Sequence, residues 1–268
     1  MSELSLHDKV VFVTGVSRPR GIGAGIVKRL VRAGASVVFH GNTTYDQTSG
    51  YPDAAAAFGQ SLAAELTTKQ HSAHCLPSSD LAAAGKPESI INAARTIHGR
   101  LDGLVVNHAY STQRPIGQWT AADISAHLTV NVQATMLMVQ AFAAQLPEGR
   151  RGAITLFTSG QYLGPMVDEI AYAVSKDATI GLCRQLAAAL APSNIQVNCI
   201  NPGPTDTGYV FDASYAAAAR LFPAGRWGIP DDAARLVHFL QSDYSSWITG
   251  QVIASEGGFN RYITKLEE

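Results

Sequence analysis

Apolar residues in this chain keep two alternating rhythms. Short β-branched runs, apolar at nearly every position, alternate with longer stretches in which apolar residues return every three or four places. The first run occupies residues 10–14 and reads as a strand buried on both faces. A turn rich in Gly, Ser and Arg follows. Ile22, Ile26 and Leu30 then repeat at helical spacing beside Val27 and Val31 up to Ala33, and Gly34 closes the helix. The same reading predicts strands at 36–40, 72–76, 103–107, 152–158, 195–200 and 252–254. It predicts helices at 53–69, 86–98, 170–190 and 230–242, and one long helix from Thr120 to about Leu146. Pro87 is allowed in a first turn, and Thr120 with Asp123 three residues on has the form of an N-cap. Residues 43–52 read as a polar loop, and 205–228 as an irregular stretch carrying aromatics.

Strands alternating with helices imply right-handed crossovers and a parallel sheet covered on both faces. The expected fold class is α/β: a Rossmann-type, doubly wound parallel β-sheet of about seven strands with helices on both faces. It fits a single domain over 1–268. A composition of 46% hydrophobic residues can fill one large core. Lys and Arg total 20 against 21 Asp and Glu, for a formal net charge of −1, so neither a nucleic-acid groove nor an anionic membrane surface is expected. Cys75, Cys183 and Cys199 are widely spaced, without Cys-x-x-Cys, and read as reduced thiols of a cytoplasmic protein. The N-terminal residues lack a basic region followed by an apolar core, so no secretory signal is expected. No apolar run approaches a membrane span.

Open parallel sheets bind ligands beyond the carboxyl ends of their strands, where strand order reverses. Several segments follow predicted strand ends: Thr14-Gly15, Asp80, Asn107, Ser159 and Pro202-Gly203. The first leads through Gly15, Ser17, Arg18, Pro19, Arg20, Gly21, Ile22 and Gly23 into a helix. Such a turn lets backbone approach a pyrophosphate, and the helix N-terminus offers it free N–H groups. An acid after the second strand would hydrogen-bond a ribose 2′-hydroxyl, whereas a 2′-phosphate needs positive charge. Here the strand ends His40-Gly41-Asn42-Thr43-Thr44, with no acid before Asp46, and Arg18 and Arg20 lie in the facing loop. That favours NADP(H) over NAD(H).

Tyr172 and Lys176 are four residues apart and share a helix face. A tyrosine with an ordinary pKa of about 10 is a poor acid at neutral pH, and a neighbouring ammonium corrects this. Ser159 stands at a strand end thirteen residues before Tyr172, where a hydroxyl can hold a carbonyl. Asn131 is polar within an apolar segment and needs partners; a water shared with Lys176 is one.

Together these residues resemble the short-chain dehydrogenase/reductase family over nearly the whole chain. Thr14-Gly15 with Gly21-Ile22-Gly23 resembles its cofactor loop, Asp80 its adenine-contacting acid, and Asn107-His108-Ala109-Tyr110 its Asn-Asn-Ala-Gly segment. Asn131, Ser159, Tyr172 and Lys176 match its catalytic tetrad in order and spacing. Pro202-Gly203 and Thr207 match the segment that closes over the nicotinamide. Within the family the chain looks most like 3-oxoacyl-carrier-protein-reductase-like members. The resemblance implies an NADP(H)-dependent carbonyl reductase or alcohol dehydrogenase, active as a homotetramer or homodimer, with no metal. Ser159 would hold the carbonyl, Tyr172 would donate the proton, Lys176 would hold the nicotinamide ribose, and Asn131 would support a water. Cofactor contacts would extend to His40, Asn42, Leu81, Ala109 and Thr205, and substrate contacts to Tyr110, Gln161 and Tyr209. Residues 205–228, with Tyr209, Phe211, Tyr215, Phe222 and Trp227, would form a lid over a small-molecule substrate.

Two departures stand out. The glycine loop is two residues longer than is usual in the family and contains Pro19. Long loops occur in related enoyl reductases, which place a tyrosine seven residues before the lysine; Glu169 stands there in this chain, and the carbonyl reading is preferred. His108-Ala109-Tyr110 replaces Asn-Ala-Gly, so that Tyr110 narrows the pocket or stacks on substrate, and His108 reads as a packed or surface imidazole. The Tyr110 substitution also motivates an alternative, a cofactor-binding protein of the same fold with a non-redox role: a regulator, a cyclase or an isomerase.

Overall fold

A computed structural model describes residues 4–68, 71–208 and 213–260, with backbone alone at Ala213 and Ser214. Among the described residues, one sheet contains β1 (Val10–Val13), β2 (Ser36–Phe39), β3 (Ala73–Cys75), β4 (Gly103–Val106), β5 (Gly152–Phe157), β6 (Ile195–Asn201) and β7 (Val252–Ala254). Every pairing is parallel. The strand order is β3-β2-β1-β4-β5-β6-β7, which reverses between β1 and β4. This is the expected Rossmann-type sheet, with its ligand-binding crevice above the β1–β4 junction.

The strand period of two assigns the core. Val11 and Val13 face one layer, containing α1 (Ile22–Arg32), α3 (Phe58–Leu66) and α9 (Pro230–Gln241). Val10 and Phe12 face the other, containing α4 (Lys86–His98), α6 (Ala134–Gln145) and α7 (Ile170–Leu190). α1 and α9 cross closely at Gly25, where an added Cβ would lie 2.8 Å from Pro230.

Four helical expectations need correction. Residues 43–52 are not all loop: Asn42 accepts the Tyr45 N–H at 3.1 Å and caps α2 (Thr43–Thr48). The Ala-rich helix starts at Phe58, five residues later than expected, because Asp53 is drawn onto the glycine loop by Arg18 and Arg20. The stretch after β6 contains the short α8 (Ala213–Ala219). The long central helix is interrupted. After α5 (Ala121–Leu128), capped by Thr120 as expected, one π-helical turn spans Thr129–Gln133 before α6. That turn contains Asn131.

Candidate active site

The π-turn sets the first member of the tetrad. An i→i+5 turn inserts one residue into the helical repeat and redirects the side chains that follow. Asn131, 3% exposed, is thereby turned onto the segment beyond β4. Its Oδ1 accepts the Tyr110 N–H at 2.7 Å, and its Nδ2 donates to the Tyr110 carbonyl and to Ser175 Oγ, both at 2.9 Å. The amide therefore fastens the β4 loop to α7.

Ser159 follows β5 in extended backbone, and its hydroxyl makes no hydrogen bond to a described residue. The neighbouring Thr158 hydroxyl donates to the Lys176 carbonyl at 2.9 Å and ties that strand end to α7. Lys176 is 4% exposed. Its Nζ donates to the Phe157 carbonyl at 3.0 Å and stands 5.5 Å from the centre of the Tyr172 ring. Burial brings the Lys176 ammonium down to about 8 from its ordinary 10.5. An ammonium has three N–H donors, so one carbonyl leaves donors for a further ligand.

A cradle lies across the crevice. Gly15 has φ +73°, and a Cβ there would come within 2.8 Å of Asn107 and His108. At Gly23 an added Cβ would fall 2.3 Å from the Gly15 carbonyl. Gly21, the N-cap of α1, brings no side-chain oxygen to the first-turn N–H groups. Bare backbone at a helix N-terminus, opposite a buried lysine with spare donors, fits a dinucleotide.

A family model described as Enoyl-(Acyl carrier protein) reductase matches residues 15–260. The uncharacterized oxidoreductase YjdA of Bacillus subtilis (strain 168) is 34% identical over 261 residues, covering 95% of this chain and 98% of the relative. The chain is a short-chain dehydrogenase/reductase. The 3-oxoacyl-[acyl-carrier-protein] reductase FabG of Aquifex aeolicus (strain VF5) is 32% identical over 262 residues, covering 96% and 99%. Among solved structures, a blue fluorescent protein from a metagenomic library in complex with NADPH superposes with a TM-score of 0.82 at 29% identity, covering 95% and 99%.

The short-chain dehydrogenase/reductase site uses the expected residues unevenly. Asn107 staples the cradle from behind: its Nδ2 donates to the Thr14 carbonyl at 3.2 Å and the Gly15 carbonyl at 3.0 Å. His108 is packed. Its Nε2–H donates to the Val130 carbonyl at 3.0 Å and its Nδ1 accepts the Thr14 hydroxyl at 2.8 Å. Burial holds the His108 imidazole near 3, so it stays neutral. Asp80 is exposed, with Oδ1 accepting the Ala82 N–H. Ala109, Pro202 and Gly203 are half-buried at strand ends, and Ile22 opens α1.

Other expected side chains are engaged within the protein. Leu81 packs in the core beside Ile90. His40 is 1% exposed, with Nε2 3.0 Å from Ser79 Oγ. Asn42 is occupied as the α2 cap, and the buried Thr205 hydroxyl donates to the Gly203 carbonyl. Ser17 donates to Asp46, which α2 folds back onto the glycine loop; burial raises the pKa of that carboxyl. Arg18 pairs with Asp53, Arg20 pairs with Asp206, and the Thr207 carbonyl accepts from Arg18. Gln161 donates to Thr158 Oγ1 and to Asp177, both at 3.0 Å, and so braces α7. Tyr209 and Phe211 lie outside the described residues. Phe222 and Trp227 are buried against each other, and Phe222 also borders a cavity of about 280 Å³ with Arg226, Ser255 and Glu256.

Sequence reasoning missed one pair beside the tetrad. Asp123 and His127, one turn apart on α5, are 5% and 0% exposed. The Asp123 carboxylate accepts from the Tyr110 and Thr112 hydroxyls at 3.2 and 2.8 Å. The His127 ring stands edge-on between Tyr110, at 4.7 Å, and Tyr172, at 6.5 Å. Its Nδ1 lies 2.9 Å from the Asp123 carbonyl, and its buried Nε2 has no hydrogen-bond partner among the described residues. The available signal was an Asp–His pair at i, i+4, read only as a cap.

Proposed function

We propose that this enzyme transfers hydride between NADP(H) and a carbonyl or secondary-alcohol substrate through Ser159, Tyr172 and Lys176. The observation carrying this is Lys176: a desolvated ammonium, one carbonyl bond spent, set 5.5 Å from the Tyr172 ring. The nicotinamide supplies or takes up the hydride. The Ser159 hydroxyl, without a hydrogen bond to any described residue, donates to the carbonyl oxygen. Tyr172 delivers the proton to that oxygen, and the Lys176 charge favours the phenolate left behind. Lys176 donors hold the ribose. Asn131, whose amide is spent on Tyr110 and Ser175, supports the relay by fixing the loop and helix between which a water would sit. Tyr172 four residues before Lys176, with Glu169 in the earlier position, supports carbonyl rather than enoyl reduction.

The absence of an acid from His40 to Thr44, Arg18 and Arg20 nearby, and the NADPH-bound structural neighbour support NADP(H). Asp46 supports the competing choice, because a carboxylate beside Ser17 could accept a ribose hydroxyl of NAD(H). Residues 205–228 act as a substrate lid in this reading. The exposed apolar residues Ile124, Leu128, Met136 and Val174 support a homotetramer or homodimer through α5, α6 and α7. Free Cys75, Cys183 and Cys199 support a reducing, cytoplasmic setting. Among the described residues, no helix is long and apolar enough to cross a membrane.

The test is absorbance loss at the reduced nicotinamide band across a panel of ketones, ketoesters and aldehydes, with NADPH and NADH in parallel. Turnover at least about tenfold more efficient with NADPH is expected. Equal or better efficiency with NADH overturns the 2′-phosphate assignment. Tight NADPH binding with no carbonyl consumed would replace the enzyme reading by a non-redox one.

A further inference from the structure

The residues that lengthen the glycine loop reach across the crevice to the segment after β6. The Arg18 guanidinium lies 3.7 Å over the Tyr51 ring, and its Nη1 donates to Asp53 Oδ1 and to the Thr207 carbonyl, both at 2.9 Å. Arg20 Nη2 donates to Asp206 Oδ1 at 2.6 Å, and the Arg20 backbone N–H donates to Asp53 Oδ2 at 3.1 Å. Gly208, with φ +84°, packs flat on the same guanidinium: an added Cβ would lie 3.1 Å from its central carbon. Two arginines of one loop thus hold three consecutive residues, Asp206, Thr207 and Gly208, and the Asp53 carboxylate orients both arginine positions.

Each end of this contact belongs to a different task. The loop from Gly15 to Gly23 forms the diphosphate cradle. The segment from Pro202 to Gly208 leads from the reacting end of the sheet into the excursion that closes at the Thr205–Gly228 bridge. Asp206 continues the connection, accepting the Tyr215 hydroxyl at 3.3 Å, and Tyr215 stacks on Trp227 with ring centres 5.3 Å apart. Arg18 is 8% exposed, yet its Nε and Nη2 edge makes no hydrogen bond to a described residue, so one face of a held guanidinium remains for an anion.

We propose that Arg18 and Arg20 form a clasp that transmits occupation of the cofactor cradle to the segment over the reacting carbon, with Asp53 and Asp206 as its positioning residues. The proposal rests on the reading that a nicotinamide dinucleotide occupies the cradle. It differs from phosphate binding alone, because the clasp acts with NADH as well as with NADPH.

Hydrogen–deuterium exchange on the full chain reads the coupling at residues 202–208, without dinucleotide and with saturating NADPH or NADH. In the wild type both dinucleotides are expected to slow exchange there by about tenfold. In Asp206→Asn and Asp53→Asn the slowing is expected to fall below about threefold, while residues 15–23 stay protected. The swapped pair Arg20→Asp with Asp206→Arg is expected to recover part of the effect, which separates loss of the contact from loss of the fold. Full slowing at 202–208 in both Asn variants overturns the clasp and leaves cofactor binding intact. Faster exchange by the same factor with and without dinucleotide marks a merely structural contact and also overturns it. Unprotected residues 15–23 with either dinucleotide in the wild type overturn the cofactor reading, and the clasp with it.

Discussion

The two ends of the sheet treat polar groups in opposite ways. At the amino end, the residues just before β1, β4 and β5 are Lys9, Asp102 and Arg151, and each is bonded. Asp102, 3% exposed, accepts the Val10 N–H at 2.9 Å together with Arg100 and Arg150, and Asp8 bridges the same two arginines. The guanidinium groups hold the Asp8 carboxyl below its ordinary pKa. At the carboxyl end, strands β1, β4 and β5 run into Thr14-Gly15, Asn107 and Thr158-Ser159: small, neutral and polar. There Lys176 has one carbonyl, Ser159 Oγ has no described partner, and His127 Nε2 and Asp123 Oδ2 are buried without one. Paired charges at one end serve stability, although Gln241 Oε1 is buried there without a hydrogen-bond partner among the described residues. Incomplete hydrogen bonding at the other is what a ligand can complete.

That contrast can be broken from either side. The largest effect is expected at the open end: Tyr172→Phe should lower turnover by about 10³-fold, with the unfolding midpoint in urea unmoved. Substantial residual turnover would remove Tyr172 from the chemistry. At the closed end, Asp102→Ala leaves two arginines and the Val10 N–H facing a void. It should cost about 3–5 kcal/mol in urea unfolding, while the folded fraction keeps its turnover per molecule. A cost under about 1 kcal/mol would make the network ornamental.

His40 gives a pH signature. Burial lowers its imidazole to about 4 from 6.5, so between those values the unfolded chain binds the proton that the native chain refuses. Stability is present above about 6.5 and is lost as pH falls toward 4, by up to about 3 kcal/mol. Urea midpoints at the two pH values measure this, and His40→Gln should remove about half of the difference, because the buried His108 imidazole, held near 3, contributes in the same window. The smallest effect sharpens the comparison: His127→Phe removes an unpartnered acceptor and should change stability by no more than about 1 kcal/mol, far less than Asp102→Ala.

The sheet was readable because each strand is a short, uninterrupted apolar run, and the structure shifts its ends by only one residue. Helices 86–98 and 170–190 were readable to the residue from their apolar spacing and polar faces, and the first also has Gly85 and Gly99 at its ends. The tetrad was visible as residue types at fixed spacing. What escaped depends on contacts distant in sequence. Asp53 leaves its helix because of Arg18 and Arg20, which no local pattern records. Asp46 lies seven residues beyond the end of β2, and the cap from Asn42 brings it back to Ser17. Leu81 follows a strand end as a cofactor contact would, yet its apolar side chain is taken by the core. Composition likewise hides the π-turn, since Thr129–Gln133 reads as ordinary helix.

That turn makes the site sensitive to chain length more than to residue identity. One extra residue is accommodated between α5 and α6, and each residue of an α-helix rotates its successors by about 100°. The offset lets α5 present Asp123 and His127 to the tyrosines while α6 presents Met138 and Phe142 to the core. Deleting a single residue within 129–133 would restore one continuous helix. It would swing α5 away from Tyr172 and turn or remove Asn131, while Ser159, Tyr172 and Lys176 stay unaltered, so the length of this segment constrains the site more tightly than the identity of most residues in it.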